Sequence, residues 1–553
     1  MATSRPHPLE FKGHAGWLHL PDAPQRRNTG ILICAPPGRD GRCAHRSLLI
    51  LAQKLEQAGF PVLRFDLLGV GESLDLRDDK DLWDHWLRGI GVAAATLRAQ
   101  AQLDQIAVVG LRLGGSLAVL AETNCQAAVL MAPIISGRQY IRELKLAAAM
   151  SGTAGLEASP GLESEGLLLN PATLAQLSAL NLKELENWPT RLLVTTSVSG
   201  RGDLPSGPQG EGIESSEIGF PGYEGLFQDT HSNKAPDLLF SQITDWLTKR
   251  FPETAPGNLK AEPAVPSLHP TGAIERSVWF GSGLNGTLCE PTSPPSPSRI
   301  VIFCNTSAEP RAGIGRFAVT TARALALCGI ASLRFDFAGI GESDGPEGRH
   351  VYETSRAADF REAINFVSDQ GLEEITLVGV CSGAFHVLVA LSDDPRVHAA
   401  FVVSPKLVWR RGESLVPEKR DQGRATGVYI QGIKNPETWL RLLRGRIDVG
   451  AVLTTLTRRL LTRLSAKLQD KTGKDLRERL RQTSARGARL HVLTGLDDAT
   501  FDEIETYLGG DGKALTRLPG MSLWVEPDLD HGLARSTSRA LAQAQLIAFL
   551  ERC

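Results

Sequence analysis

Ile375-Thr376-Leu377-Val378-Gly379-Val380-Cys381-Ser382-Gly383-Ala384 is the stretch whose reading decides the fold. An apolar, β-branched run ends in Gly-x-Cys-x-Gly, and a helix-forming run through Leu391 follows. That order predicts a strand, a sharp turn and a helix. Such a turn forces its central residue into a strained backbone, and the flanking glycines let strand and helix approach closely. The central side chain then stands above the sheet at a helix N-terminus. A cysteine there gains from the helix dipole, which favours the thiolate, and the N–H of Ser382 points toward any oxyanion formed by attack on a carbonyl. Free cysteine is often just a small buried hydrophobe, so the reading of Cys381 as a nucleophile depends on its company. Ser382 is a rival nucleophile, one place past the centre of the turn.

The company lies downstream. Leu490-His491-Val492-Leu493-Thr494-Gly495-Leu496-Asp497-Asp498 reads as a strand followed by a turn with two carboxylates. The strand Ser522-Leu523-Trp524-Val525 is followed by Leu529-Asp530-His531-Gly532, and a closing helix is expected from Arg539 to Leu550. A nucleophilic thiol needs a base to take its proton, and the base needs a carboxylate to fix its tautomer. His531 fits the base and Asp498 the orienting acid, with Asp497 as alternate. The chain order is nucleophile, acid, histidine. The second oxyanion donor is expected from the loop after the first central strand, near Thr306.

The chain states this plan twice. Phe60-Pro61-Val62-Leu63-Arg64-Phe65-Asp66-Leu67-Leu68-Gly69-Val70-Gly71-Glu72-Ser73 matches Ile330-Ala331-Ser332-Leu333-Arg334-Phe335-Asp336-Phe337-Ala338-Gly339-Ile340-Gly341-Glu342-Ser343 at an offset of 270. The same offset sets Cys34 on Cys304, and Gly110-Leu111-Arg112-Leu113-Gly114 falls on Gly379 to Gly383 at 269. A long gap-free match does not come from composition, so a tandem duplication is expected. Each copy reads as a first hairpin (Leu9 to Leu20; Val278 to Glu290), a buried strand (Ile31 to Ala35; Ile300 to Asn305), a helix (Ser47 to Ala58; Ala318 to Cys328), the Leu-Arg-Phe-Asp strand, a second helix and the elbow. Alternating strands and helices imply an α/β fold with a mostly parallel sheet covered on both faces. The expected organisation is a first domain over residues 1–250, a Pro- and Ala-rich linker over 251–270 and a second domain over 271–553. Each domain carries an insertion able to act as a helical cap, at about Gly137 to Asn187 and about 407–486. The second holds 20 Lys/Arg against eight Asp/Glu between Lys406 and Arg486. A solvated basic face is the ordinary meaning of such a bias; an anionic or carrier-bound substrate is the sharper one.

In the first copy the chemistry looks lost. Arg112 stands in the nucleophile position, and a guanidinium neither loses its proton nor attacks a carbonyl. Pro36, set against Thr306, has no N–H to donate. His231 stands where the histidine belongs, but no clear acid follows the strand Arg191 to Thr195, Asp203 being a weak candidate. A structural pseudo-domain is expected there, the alternative being that Arg112 binds a carboxylate or phosphate.

Composition sets the outer bounds. A chain of 553 residues exceeds one core. Its 42% hydrophobic and 22% charged residues are those of a soluble globular protein. A net charge of −2 gives no reason to expect nucleic acid. The eight cysteines are scattered, several in strand-like runs, which suits a reducing, cytoplasmic compartment. No Cys-x-x-Cys or histidine cluster suggests a metal, no cofactor is expected, and no apolar run is long enough to span a membrane.

These elbows, the Phe-Asp-x-x-Gly-x-Gly-x-Ser turns, Asp498 and His531 resemble the α/β-hydrolase fold, twice over. The cysteine elbow resembles variants in dienelactone hydrolases, polyhydroxyalkanoate synthases and acyl-transferring thioesterases. Ser136 to Leu144 and Val408-Trp409-Arg410-Arg411-Gly412 are similar to segments of hydrolases that accompany bacterial exopolysaccharide and exosortase gene clusters. The resemblance implies a bacterial enzyme acting near polysaccharide or lipid-linked intermediates. The residues themselves lead to hydrolysis of an ester or thioester through a Cys381 thioester. Acyl transfer to an alcohol or amine is the runner-up. A non-catalytic scaffold is the reading from another class, and nothing favours a peptidase.

Overall fold

The computed structural model describes residues 5–21, 26–76, 81–150, 161–196, 213–228, 230, 232–253, 267–293, 298–346, 356–407, 471–496 and 498–552. Eight strands form the first large sheet: β1 (His7–Phe11), β2 (His14–His19), β3 (Thr29–Cys34), β4 (Val62–Phe65), β5 (Gln105–Leu111), β6 (Ala127–Met131), β9 (Arg191–Thr196) and β10 (Glu214–Gly219). A small antiparallel pair, β7 (Leu162–Ser164) and β8 (Leu167–Leu169), lies in the first insertion. The sheet order is β1-β2-β4-β3-β5-β6-β9-β10. The hairpin and its junction with β4 are antiparallel and every later pair is parallel.

The second large sheet holds β11 (Ser267–Leu268), β12 (Ala273–Phe280), β13 (Leu284–Pro291), β14 (Arg299–Phe303), β15 (Ala331–Phe335), β16 (Glu374–Val380), β17 (Val397–Val403), β18 (Arg489–Gly495) and β19 (Met521–Glu526). Its order is β11-β12-β13-β15-β14-β16-β17-β18-β19. From β12 onward this repeats the first sheet strand for strand. Two tandem α/β-hydrolase domains are thus present. The tail of the expected linker is itself structured, since β11 adds an antiparallel edge to β12.

Period-two alternation builds the core. In the first sheet Leu32, Val108 and Leu130 face one side, where they meet Trp86, Ile90 and Leu117 from the helices Leu82–Ala101 and Leu113–Leu120. Ile31, Val109 and Val129 face the other, against Leu48 and Leu55 of the helix Arg39–Gln57 and Phe240 and Leu247 of the helix Asp237–Arg250. Both faces are covered, as a parallel sheet requires. The helix Arg39–Gln57 begins eight residues before the expected Ser47, because its first two turns carry Arg42, His45 and Arg46, whose partners are polar and leave no apolar period to read.

By compactness the chain parts into one unit of Met1–Trp279, Gly283–Pro294 and Ala308–Gly348, and a second of Phe280–Ser282, Pro295–Ser307 and Arg349–Cys553. The first unit contains both repeated turns, and their geometry explains the motif. Asp66 Oδ2 accepts the Glu72 N–H at 2.8 Å, and the Ser73 hydroxyl donates to Asp66 O at 2.7 Å while accepting the Ala15 N–H. In the matching turn Asp336 accepts the Glu342 N–H at 3.2 Å, and the Ser343 hydroxyl donates to Asp336 O at 2.6 Å while accepting the Asn285 N–H. The Asp and Ser close the turn and tie it to the hairpin. The turns differ at one point. Asp336 is held by the Arg311 guanidinium at 2.7 Å, whereas the position matching Arg311 is Gly41, and burial pushes the Asp66 carboxyl up to about 6.

Candidate active site

The second unit holds the elbow. All seven residues of β16 but its first are buried, and the chain turns at Cys381 with φ 54° and ψ −114° into the helix Ser382–Asp393. The turn fits only with glycine on either side. A Cβ at Gly379 would lie 2.6 Å from the Gly383 carbonyl carbon, and one at Gly383 would lie 2.5 Å from Asn305 O. The strain at Cys381 is thus enforced by close strand–helix packing.

Two loops at the same end of the sheet bring the partners. Asp498 follows β18 and caps the helix Ala499–Leu508, accepting the Thr500 N–H at 2.9 Å. His531 follows β19, on a loop fixed by Asp530, which accepts the N–H groups of Ala534 and Arg535 at 2.6 and 3.2 Å. His531 Nδ1 lies 3.0 and 2.9 Å from the two Asp498 oxygens, and Nε2 lies 3.1 Å from Cys381 Sγ. An ionised carboxylate only accepts, so Nδ1 carries the proton toward Asp498 and Nε2 faces the sulfur. The sequence-predicted His531 therefore contacts both Cys381 and Asp498.

The electrostatics favour a charged Asp498–His531 pair. Burial alone would raise the Asp498 carboxyl, but the bond to His531 and its charge, helped by Ser404 and the Thr500 N–H, bring it down to about 2. Burial alone would lower His531; the Cys381 thiolate and the Asp498 bond outweigh it and hold the imidazolium well above its ordinary range. Burial pushes the Cys43 and Cys289 thiols up to about 11 and 12, and those of Cys34 and Cys304 higher still.

Ser382 has a different job from its neighbour. Its hydroxyl is buried and accepts the Ser307 N–H at 2.6 Å, which ties the elbow to the loop after β14. That tie leaves no local sequence pattern. Its backbone stands at the first position of the elbow helix, next to the sulfur. Thr306, in the same loop, donates its hydroxyl to Val380 O at 3.3 Å. Asp497, His231 and Asp203 lie outside the described residues, as does residue 408–470 of the second insertion. Among the described residues no group of three or more His, Cys, Asp or Glu is poised for a metal, and no helix is long and apolar enough to cross a membrane.

The first unit keeps the elbow backbone, with Arg112 at its turn. Arg112 turns with φ 49° and ψ −125° into the helix Leu113–Leu120, much as Cys381 does. Its guanidinium donates to Asp40 at 3.2 Å, to Glu143 at 2.6 Å and to the Tyr223 hydroxyl at 3.2 Å, and lies over the Tyr140 ring. Protein groups thus take three of its five N–H donors.

Comparison with known proteins agrees with the fold. The family described as serine aminopeptidase, S33, matches residues 41–191 and 296–431, just over half of the chain. No curated protein matches. Similar solved structures include an esterase of Pyrococcus furiosus (14% identity, 51% of this chain and 92% of that one, TM-score 0.31). An α/β serine hydrolase of Xanthomonas campestris, described as lacking a lid, is similar at 15% identity over 46% and 99% of the chains, TM-score 0.30. Est1E of Butyrivibrio proteoclasticus, solved with ferulic acid, is similar at 15% identity over 44% and 98%, TM-score 0.33. The chain belongs to the α/β-hydrolase family described as serine aminopeptidase, S33.

Proposed function

We propose that the second domain hydrolyses an acyl ester or thioester through a covalent Cys381 thioester. The observation that carries this reading is His531 bridging Cys381 and Asp498 through its two ring nitrogens. The thiolate attacks the acyl carbon. The oxygen that becomes negative is met by the Ser382 N–H and by the loop around Thr306. The bond to the leaving alcohol or thiol breaks, and the His531 imidazolium gives that group its proton. Water then attacks the thioester and passes a proton to His531. The carbon–sulfur bond breaks, the acid leaves, and the thiolate–imidazolium pair returns. Asp498 positions the imidazole and stabilises its charge without taking the proton. The basic bias of the second insertion favours an anionic or carrier-bound acyl donor.

The test is intact mass after incubation with a panel of activated acyl esters, acyl thioesters and an aminoacyl arylamide. A single acyl adduct on the wild type, absent from Cys381→Ala and trapped longer in His531→Ala, is expected. Adduct formation in Cys381→Ala, or turnover of the arylamide alone, would overturn the reading.

A further inference from the structure

Within the first unit the contacts of the two repeated turns are reciprocal. Arg64 on β4 donates to both oxygens of Glu342 at 2.9 and 2.7 Å. Arg334 on β15 donates to Glu72 at 2.7 and 3.0 Å. Add 270 to Arg64 and subtract it from Glu342, and the first pair becomes the second. The same exchange relates two further contacts. Arg46 donates to the carbonyls of Gly341 and Ser343 at 3.1 and 3.0 Å, and Arg316 donates to the carbonyls of Gly71, at 2.8 Å, and Ser73. In each relation residue i meets j and the match of j meets the match of i. That is the signature of an isologous, twofold interface between identical subunits. All four charged side chains of the central pairs are buried: Glu342 and Arg334 are 0% exposed and Arg64 and Glu72 are 7%.

A buried ion pair is costly to assemble and costly to break, so it fixes a register rather than adding much attraction. Here two such pairs, between residues 278 and 262 apart in the chain, fix the same register twice. The surroundings have drifted while the frame has not. Glu342 also meets His45 at 2.8 Å, and Glu72 also accepts the Thr287 hydroxyl at 2.8 Å, although their matches Gly315 and Trp17 make no such bond.

We infer that the face carrying Arg46, Arg64 and Glu72 is a self-complementary docking surface whose partner is its own repeat, Arg316, Arg334 and Glu342, and that the first half of the chain serves the second as the fixed subunit of a twofold pair. The service to a catalytic half rests on the hydrolase reading; the pairing itself does not. Each arginine of the surface is matched to a carboxylate or carbonyl of the repeated turn.

The experiment uses the full chain with a protease recognition sequence placed in residues 254–266, cleaved after folding. Native mass spectrometry across a dilution series reads association. The cleaved protein is expected to remain a single species with the mass of the uncleaved chain down to nanomolar concentration. Arg46→Ala, which removes main-chain bonds at the edge of the surface and leaves both buried pairs intact, is expected to weaken that association at least about tenfold with an unchanged far-UV circular dichroism spectrum. Arg396→Ala, which breaks an ion pair with Asp394 in the second unit, is expected to leave it unchanged. Halves that separate in the wild type while each keeps its spectrum would overturn the inference, as would an Arg46→Ala protein that associates like the wild type. Acylation of Cys381 is followed in the same samples. Its absence from associated wild type counts against the hydrolase reading and leaves the pairing standing.

Discussion

Replacing Asp498 by asparagine removes one charge and almost nothing else. The amide is the same size, and asparagine is an equally good helix cap, so the bond from the Thr500 N–H is retained. What goes is the field that steadies His531. The carboxyl falls from its ordinary 3.8 to about 2 despite burial that opposes the fall, so its charged form is favoured by about 2 kcal/mol in this site. Most of that favour comes from His531, and coupling between two charges is mutual. Asp498→Asn therefore withdraws about 2 kcal/mol from the imidazolium, equivalent to roughly a thirtyfold change in any step that needs it. The assay is the pseudo-first-order rate of acyl-adduct formation on Cys381 at neutral pH, read by intact mass and paired with thermal melting. A roughly thirtyfold slower rate is expected, with a lower melting temperature at neutral pH because the ionised Asp498 no longer favours the folded state. A rate within about twofold of wild type would refute the coupling argument, since a factor of two is worth only about 0.4 kcal/mol.

Three further outcomes follow from other contacts. The His531 ring is expected to stay protonated as pH rises past 6.5, and Cys381→Ala to move its titration downward; ring-proton nuclear magnetic resonance reads both. Because this folded-state pKa is raised, the associated stability is complete below pH 6.5 and is lost as pH rises through the raised value. Ser382→Ala leaves the Ser307 N–H without its partner and should cost about 1–3 kcal/mol in chemical denaturation while the Cys381 adduct still forms. The raised Asp66 carboxyl favours the folded state most below pH 3.8 and loses that advantage as pH rises through about 6, so Asp66→Asn should stabilise the protein at pH 8, by about 3 kcal/mol, and much less at pH 4.

The parts of the fold that are legible in the sequence are those written into local backbone chemistry. Gly-x-Cys-x-Gly after a β-branched run specifies its own turn, because the glycines are needed wherever the strand meets the helix. The repeated Phe-Asp-x-x-Gly-x-Gly-x-Ser stretch is legible for the same reason, its Asp and Ser bonding within the motif. The partners of Cys381 are legible by order and by strand-then-turn context, although His531 lies 150 residues away. What the sequence hides are pairings whose two ends share no local pattern. Nothing in Leu-Arg-Phe-Asp says that Arg64 reaches Glu342, and nothing in Cys381-Ser382 says that the second residue is spent on the Ser307 N–H. The start of the helix Arg39–Gln57 is hidden too, since a polar first turn used for contacts looks like a loop.

Arg112 bears on how such elbows are recognised elsewhere. An arginine has no use for a left-handed backbone, and the strain costs on the order of 1–3 kcal/mol. Yet the turn persists at φ 49°, because Gly110 and Gly114 still press strand and helix together. The bend is therefore an architectural joint first and a pedestal for a nucleophile second. A backbone search that finds this joint has found the fold, and only the atom mounted on it, with an imidazole in reach, reports whether the machine still runs.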